Sequence, residues 1–216
     1  MDRSILFVET YKLYKRRRAW IGPVLVFLLI IISFPLTLDI NSENPPQIYL
    51  SFIWISTLLV TMLGTELIFS DDFEDGTLEQ YAVNNQLIEI VFYKILVHWL
   101  LIGIPLAFVA FLFILSLDIS IRISSIALLC LIISNLIFIN FFSLGNALSL
   151  KKGSILGLLI TIPFLIPVLI VLGKMTTSAL LGLSLVGHLS LLVGVMFLVA
   201  SFIPFIISFI LRTHLE

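Results

Sequence analysis

Six long apolar stretches constrain the fold of this chain more than any other feature. They lie near residues 19–38, 49–69, 91–115, 121–148, 154–173 and 187–211. Each has about the 20 residues that an α-helix needs to cross the hydrocarbon core of a bilayer. Continuous apolar runs differ from the short alternating strands of a β-barrel. The sequence therefore predicts an all-α, polytopic membrane protein with six transmembrane helices, forming a single domain over 1–216.

Composition and motifs exclude several other classes of protein. Only 12% of the residues are charged, whereas a soluble domain has about 25%. The net charge of −1 gives no electrostatic reason to expect nucleic acid as a partner. The single cysteine, Cys130, lies in an apolar stretch and lacks the neighbours of a metal site. The sequence contains no His-Glu-x-x-His, no Gly-x-Ser-x-Gly and no Gly-x-x-x-x-Gly-Lys-Ser/Thr nucleotide loop. We therefore expect a non-catalytic chain, and any nucleotide that drives it binds to another protein.

The distribution of basic residues predicts the orientation, because cytoplasmic loops are enriched in Lys and Arg. With the N-terminus inside, only Arg122 and Lys174 lie outside. The other ten basic residues lie on the inner side: Arg3, Lys12, Lys15, Arg16, Arg17, Arg18, Lys94, Lys151, Lys152 and Arg212. Both termini are therefore predicted to be cytoplasmic.

Residues 2–18 mix apolar and charged side chains and end in Lys15-Arg-Arg-Arg18. This pattern predicts an interfacial helix on the cytoplasmic face, with its basic residues near lipid phosphates. The alternative is a cluster of charges that only fixes the membrane topology.

A strongly acidic segment separates the second and third apolar stretches. It reads Phe69-Ser-Asp-Asp-Phe-Glu-Asp-Gly-Thr-Leu-Glu-Gln80 and carries five carboxylates, which are Asp71, Asp72, Glu74, Asp75 and Glu79. Phe73 stands where a calcium-binding loop needs an oxygen ligand, which argues against calcium. By the orientation above, the segment is cytoplasmic.

Helix signals follow within the same segment. Thr77 and Gln80 have the spacing of a capping box, and Leu78, Tyr81 and Ala82 share one face at helical spacing. The Asn84-Asn85 pair ends the pattern. We therefore predict a short cytoplasmic helix with exposed acidic flanks that docks into a groove of a partner; the alternative is an ordinary solvated loop.

Ionisable residues inside a span are functional candidates by default. Lys94 and His98 are four residues apart on one face near the inner end of the third span, beside Trp99. His98 is either a heme ligand or a hydrogen-bonded structural residue, and the structural role is favoured. His188, near the outer start of the sixth span, is ambiguous in the same way.

Polar residues indicate how the fourth span packs. Asn135 and Asn146 lie on one face of this span, where amides can bond to other helices. Asn140 points elsewhere. A packing role is favoured over a polar substrate path.

The fifth span combines two kinds of packing signal. Gly153 and Gly157 form a small-xxx-small pair that permits close helix approach. Pro163 and Pro167 remove backbone hydrogen bonds one turn apart and predict a bend.

Several of these motifs together resemble one known family. The acidic run 69–80 is followed by Lys94-Ile-Leu-Val-His-Trp-Leu100 and by Gly103-Ile-Pro-Leu106. With Tyr14-Lys-Arg-Arg-Arg-Ala-Trp20 and the Lys- and Pro-containing stretch 151–170, they resemble the cytochrome c maturation protein B family, also called heme exporter protein B. The resemblance covers essentially the whole chain. Where family members often have prolines after the acidic segment, this chain has Asn84-Asn85.

The resemblance implies an ABC transporter permease of the bacterial inner membrane, or of a mitochondrial equivalent. One expected partner is the family's ATPase, which binds ATP. The others are the heme-handling cytochrome c maturation proteins C and D, the periplasmic heme chaperone (cytochrome c maturation protein E) and a second copy of the chain. Membrane lipid surrounds the assembly. The system would export heme or release the heme-loaded chaperone. The alternative is a membrane assembly factor that transports nothing.

The expected roles of individual residues follow from this interpretation. Heme is the substrate of the system, and no cofactor is expected on this chain because Trp20, Trp54 and Trp99 are scattered, unlike the Trp-rich motif of cytochrome c maturation protein C. The predicted ATPase-coupling residues are Asp71, Asp72, Phe73, Glu74, Asp75, Gly76, Leu78, Glu79 and Tyr81. The possible functional intramembrane residues are Lys94, His98, Trp99, Pro163 and Pro167.

Overall fold

Helices form nearly all of the residues that the computed structural model describes, which are 3–37, 45–150 and 154–215, and no β-strand occurs in those ranges. The helices are α1 (Arg3–Lys15), α2 (Arg17–Thr37), α3 (Pro45–Thr65), α4 (Ser70–Glu74), α5 (Thr77–Val83), α6 (Leu87–His98), α7 (Ile104–Ser116), α8 (Ile121–Leu148), α9 (Ser154–Leu180) and α10 (Val186–Leu215). A π-helical segment, Trp99–Gly103, joins α6 to α7.

Six helical stretches are long and apolar enough to cross a membrane, as the sequence predicted. They are Arg17–Thr37, Pro46–Glu74, Leu87–Ser116, Ile121–Leu148, Leu159–Leu180 and Val186–Leu215. Most extend beyond the predicted apolar cores, because a helix continues past the first polar residue when that residue can reach solvent. Lys174, for example, lies within α9.

The most extensive contacts of the bundle are made by α8, which packs against α3, α7, α9 and α10. Its approach to α9 is especially close, since a Cβ atom on Gly157 would overlap the carbonyl oxygen of Gly145. The predicted role of Gly157 in helix approach is therefore confirmed. Gly153 lies outside the described residues.

Side-chain hydrogen bonds connect the spans where lipid offers no polar partner. Asn135 Nδ2 donates to the Gly103 carbonyl at 2.7 Å, and Asn146 Oδ1 accepts from the Phe69 N–H at 3.2 Å. Asn140 instead donates to Leu136 of its own helix. Both predictions, that Asn135 and Asn146 bond across helix interfaces and that Asn140 points elsewhere, are confirmed.

The third span carries a local irregularity at its centre. The π-helical segment begins directly after His98, and Trp99 Nε1 donates to the Ile132 carbonyl on α8 at 2.9 Å. A Cβ atom on Gly103 would lie 2.9 Å from the Trp99 ring, so glycine at 103 is needed for this ring to fit.

The fifth span shows no interruption at its prolines. The helix α9 runs unbroken through Pro163 and Pro167. The bend expected there therefore stays a prediction.

The acidic segment differs from its predicted form. It forms two short helices, α4 and α5, because Gly76 between them adopts a left-handed φ of 75°. The predicted capping box is wrong. Thr77 is the first residue of α5 and not its cap, and its N–H donates to Asp75 Oδ1 at 2.9 Å. Asn84 ends α5, as predicted.

Candidate functional site

Four charged side chains from three separate helices meet at one end of the bundle. We call Glu9, Lys12, Asp72 and Lys94 the ion cluster. Lys94 Nζ lies 2.8 Å from Asp72 Oδ2 and 3.2 Å from Glu9 Oε2. Lys12 Nζ lies 3.3 Å from Asp72 Oδ1 and 3.8 Å from Glu9 Oε1. The cluster therefore ties α1 to both α4 and α6.

Three members of the ion cluster are buried: Glu9, Asp72 and Lys94 are each only 5–6% exposed. Burying a charge is costly unless an opposite charge compensates it, and here two carboxylates balance two ammonium groups. Breaking a buried pair by removing one partner costs about 3–5 kcal/mol. The cluster therefore fixes the relative position of its three helices.

Lys12 is the half-exposed member, and its surroundings favour its charged form. Partial burial by itself lowers the pKa of Lys12, but the neighbouring carboxylates of Asp72 and Glu9 outweigh that effect and raise the pKa above 10.5. Lys12 is therefore protonated over the whole physiological range.

A second ion pair links the same elements nearer to solvent. Arg16, the single residue between α1 and α2, pairs with Asp71 of α4. Together with the Lys12–Asp72 contact, this pair attaches α1 and the α1–α2 junction to α4 at two points. Because α2 starts at Arg17, this ion pair lies directly beside the start of the first span.

The structure corrects the expectation that the acidic flanks of segment 69–80 are all exposed, and it shows where the apolar face of this segment packs. Asp72 is buried in the ion cluster, and Leu78 is completely buried in the core. Phe73 and Tyr81 pack partly buried against that core. The reason is that α5 packs against α6 and α10, so its apolar face serves this chain's own fold.

Several side chains in and just after segment 69–80 are exposed, and within the segment most of them are acidic. We call Glu74, Asp75, Glu79, Gln80 and Val83 the acidic patch. Glu74, Asp75, Glu79 and Gln80 lie on or beside the two short helices, and Val83 is 82% exposed and supplies one apolar side chain. Hydrogen bonds from Thr77 lower the pKa of Asp75, so this carboxylate is charged at neutral pH. The patch presents three carboxylates around one apolar residue.

The structure separates the two intramembrane residues that the sequence grouped together. Lys94 belongs to the ion cluster, whereas His98 Nδ1 donates to the Lys94 carbonyl at 2.8 Å. Trp99 points to α8 instead. Pro163 and Pro167 lie on α9, away from this end of α6, and do not line the cavity described next.

A cavity of about 980 Å³ adjoins the ion cluster. It is bounded by α1, α2, α3, α4 and α6 and is lined by both charged and apolar residues. The charged lining residues are Glu9, Lys12, Lys15, Arg16, Arg17, Arg18, Glu66, Asp71, Asp72, Asp75 and Lys94. His98 lines it from within the third span. Within the described ranges, no group of three or more His, Cys, Asp and Glu residues could hold a metal ion.

The ion cluster was not predicted, although two signals for it were present in the sequence. Lys12 was assigned to lipid phosphates, but it faces Asp72 instead. A lone lysine in an apolar stretch, such as Lys94, needs a carboxylate partner. Glu9, the single acidic residue among the apolar and basic residues of α1, was the natural candidate. The sequence could not show that α1 folds back onto α6.

Comparison with known proteins places the whole chain in one group. The family described as "CcmB protein" matches residues 1–214. The heme exporter protein B of Pseudomonas aeruginosa is 34% identical over 209 residues, covering 95% of this chain and 94% of the relative. The protein of the same name from Haemophilus influenzae is 31% identical over 98% of this chain and 100% of its own length. That of Rhodobacter capsulatus is 28% identical over 88% of each chain.

Proposed function

Because this chain belongs to the CcmB protein family, we propose that it is the permease of an ABC transporter that takes part in heme export for cytochrome c maturation. The architecture supports this proposal, since the six candidate spans leave only α1 and α5 as helices outside them in the described part of the chain. The sequence contains no nucleotide-binding loop. ATP would therefore bind to a partner ATPase, and this permease would be non-catalytic.

The single observation that carries the coupling role is the Lys94–Asp72 contact. It fastens α4 to the third span, while Glu9 and Arg16 fasten the same region to α1. A partner that pushes on the acidic patch therefore moves the first and third spans together. We propose that the acidic patch, rather than Leu78 or Tyr81, is the surface that contacts the ATPase.

The proposed orientation puts both termini and the acidic patch in the cytoplasm, with the chain in the bacterial inner membrane. The exposed side chains of α1 support an interfacial position for this helix. Phe7, Tyr11 and Tyr14 are 72%, 57% and 56% exposed and form an aromatic row, which suits the headgroup region of a bilayer. The buried face of α1 carries Glu9 and Leu13.

The remaining proposed partners follow from the family. They are the heme-handling cytochrome c maturation proteins C and D, the heme chaperone and a second copy of this chain. We propose that heme is bound mainly by the other proteins of the system. His98 donates Nδ1–H to its own helix backbone, and His188 starts the sixth span at the predicted opposite side of the membrane. Two ligands on one iron cannot be about 30 Å apart.

The coupling proposal is tested by reversing the charge of the acidic patch. Glu74→Lys/Glu79→Lys should reduce co-purification of the ATPase and abolish ATP-dependent release of the heme-loaded chaperone. The matched control is Glu89→Lys, which changes a glutamate of α6 outside the patch. Normal ATPase binding by the double variant would show that the patch is not the contact surface.

The competing function is an assembly factor that needs no ATP. This alternative predicts that the chaperone is loaded and released equally well when the partner ATPase is inactivated by mutation. An ATP-dependent change in the complex that disappears with Glu74→Lys/Glu79→Lys excludes it.

A further inference from the structure

In the cavity beside the ion cluster, the carboxylates take part in contacts within the described part of the protein, whereas several of the cations do not. Its carboxylates all have partners: Glu9 and Asp72 pair with lysines, Asp71 pairs with Arg16, Asp75 accepts from Thr77, and Glu66 is engaged by other contacts. Three of its cations, Lys15, Arg17 and Arg18, form no ion pair with any residue that the structure describes. The cavity therefore presents positive charge that the protein itself does not neutralise.

These cations lie at the interfacial end of an apolar wall that continues along the first span. Arg17 and Arg18 begin the first span, and Pro23 and Val26 line the cavity further along the same helix. Val26 is nine residues beyond Arg17, which is about 14 Å along a helix. From the second span, Leu63 and Leu67 complete the wall. Positive charge at the interface and an apolar wall that runs into the span match a molecule with an anionic head and a hydrocarbon tail.

We propose that this cavity is a binding site for one anionic phospholipid of the adjoining leaflet. The phosphate would pair with Lys15, Arg17 and Arg18, and an acyl chain would lie along Val26 and Leu63. The volume of about 980 Å³ is at the upper end of the range for ligand sites. The site does not depend on the coupling role, because it would stabilise the α1–α2 junction whether or not an ATPase docks.

Two different variants test the site by separate physical means. Lys15→Gln/Arg17→Gln removes two cations and keeps the apolar wall. Gly22→Leu keeps every charge and fills the cavity instead, because an added Cβ at Gly22 meets no atom within 4 Å. The matched controls are Arg122→Gln/Lys174→Gln, which removes two cations elsewhere, and Gly194→Leu, another glycine with open space around it. Circular dichroism and gel filtration establish that each variant is folded.

The experiment titrates the delipidated, detergent-solubilised chain with dioleoylphosphatidylglycerol or dioleoylphosphatidylcholine and counts bound lipid by native mass spectrometry. We expect one tightly bound phosphatidylglycerol and a clear preference over phosphatidylcholine. Each basic residue near an anionic headgroup strengthens lipid binding several-fold. Removing two of them should therefore raise the Kd for phosphatidylglycerol about thirtyfold. Gly22→Leu should also weaken binding at least about tenfold, whereas both controls should bind as the wild type does.

Three results would overturn the proposal. They are equal binding of the two lipids, unchanged phosphatidylglycerol binding by both cavity variants, and displacement of the bound lipid by equimolar hemin. The last result would assign the cavity to heme, whose carboxylates present the same kind of anionic head.

Discussion

Lys94 of the third span lies within 3.2 Å of two carboxylates that come from two other helices, Glu9 of α1 and Asp72 of α4. The three residues are far apart in the sequence, yet each is almost completely buried. This arrangement joins the proposed ATPase-docking region, α1 and the third span through one ammonium group.

Removing Lys94 should destabilise the protein strongly. Lys94→Met leaves Glu9 and Asp72 buried with only the half-exposed Lys12 as a partner, at a cost of about 3–5 kcal/mol. Thermal unfolding of the purified chain in detergent measures the change. Lys174→Met, which removes a lysine outside the cluster, serves as the control and should change stability by less than about 0.5 kcal/mol. Equal melting temperatures of the two variants would mean that the ion cluster is not formed.

Alkaline pH should weaken the contribution of Lys12. Because folding raises the pKa of Lys12 above 10.5, its stabilising contribution is complete below pH 10.5 and is lost as the pH rises through the folded-state pKa. The measurement compares melting temperatures of the wild type and Lys12→Met at increasing pH. We expect a constant difference below pH 10.5 that shrinks above it. A difference that vanishes at neutral pH would contradict the pairing of Lys12 with Asp72 and Glu9.

Enlarging Gly157 should separate α8 from α9. A Cβ atom at this position would overlap the Gly145 carbonyl and come within 2.5 Å of Ser149 Oγ, and the backbone carbonyl cannot move without shifting α8. Gly157→Ala should therefore cost about 1–3 kcal/mol. Gly194→Ala, where the added atom meets open space, should instead be neutral or stabilise α10 by up to about 1 kcal/mol. Similar melting temperatures of the two variants would contradict the close helix approach.

Asn146 and Asn140 lie on the same helix but should respond differently to substitution. Asn146→Leu removes the partners of the Phe69 N–H and the Glu66 carbonyl at the end of α3, at a cost of about 1–3 kcal/mol. Asn140→Leu removes only a bond within α8 and should change stability by less than about 1 kcal/mol. Thermal unfolding in detergent distinguishes the two, and an equal loss would indicate that Asn146 does not hold α3 in place.

The purified chain should contain no stoichiometric heme when the heme-handling proteins of the system are absent. Axial ligation needs a side chain held at the iron, and the bond from His98 Nδ1 to the Lys94 carbonyl leaves only Nε2 of this histidine available, so a second axial ligand would have to come from another protein. The absorption spectrum of the chain tests this, with His98→Ala as the comparison. A stoichiometric Soret band in the wild type that is lost in His98→Ala would make His98 a heme ligand. We expect a heme-free chain that supports ATP-dependent chaperone release once those heme-handling proteins are restored.

Features that depend on membrane physics could be predicted from the sequence. The six spans follow from the length of the apolar runs, and the bonds of Asn135 and Asn146 follow from the need of buried amides for partners. These inferences need only local sequence and the properties of lipid. The end of α5 at Asn84 could likewise be predicted from local sequence alone.

Features that depend on distant contacts could not be predicted. The burial of Asp72 requires that α1 and α6 both reach α4, and nothing in the residues around Asp72 indicates this. From the sequence, the apolar face of α5 that contains Leu78 could be interpreted either as a surface for a partner or as part of this chain's own core. Only the packing of α5 against α6 and α10 decides between them.

The ion cluster also has a consequence for the order in which the chain assembles during synthesis. Glu9 and Lys12 leave the ribosome first, but the lysine that completes their site follows only with the third span. Until then Glu9 has no partner outside its own helix, and its carboxylate remains hydrated. Lys94 is synthesised after both of its partners. When the third span inserts, the charge of Lys94 is compensated by the carboxylates of Glu9 and Asp72, which are already present. The docking of the earliest helix is therefore one of the later steps in forming this end of the bundle.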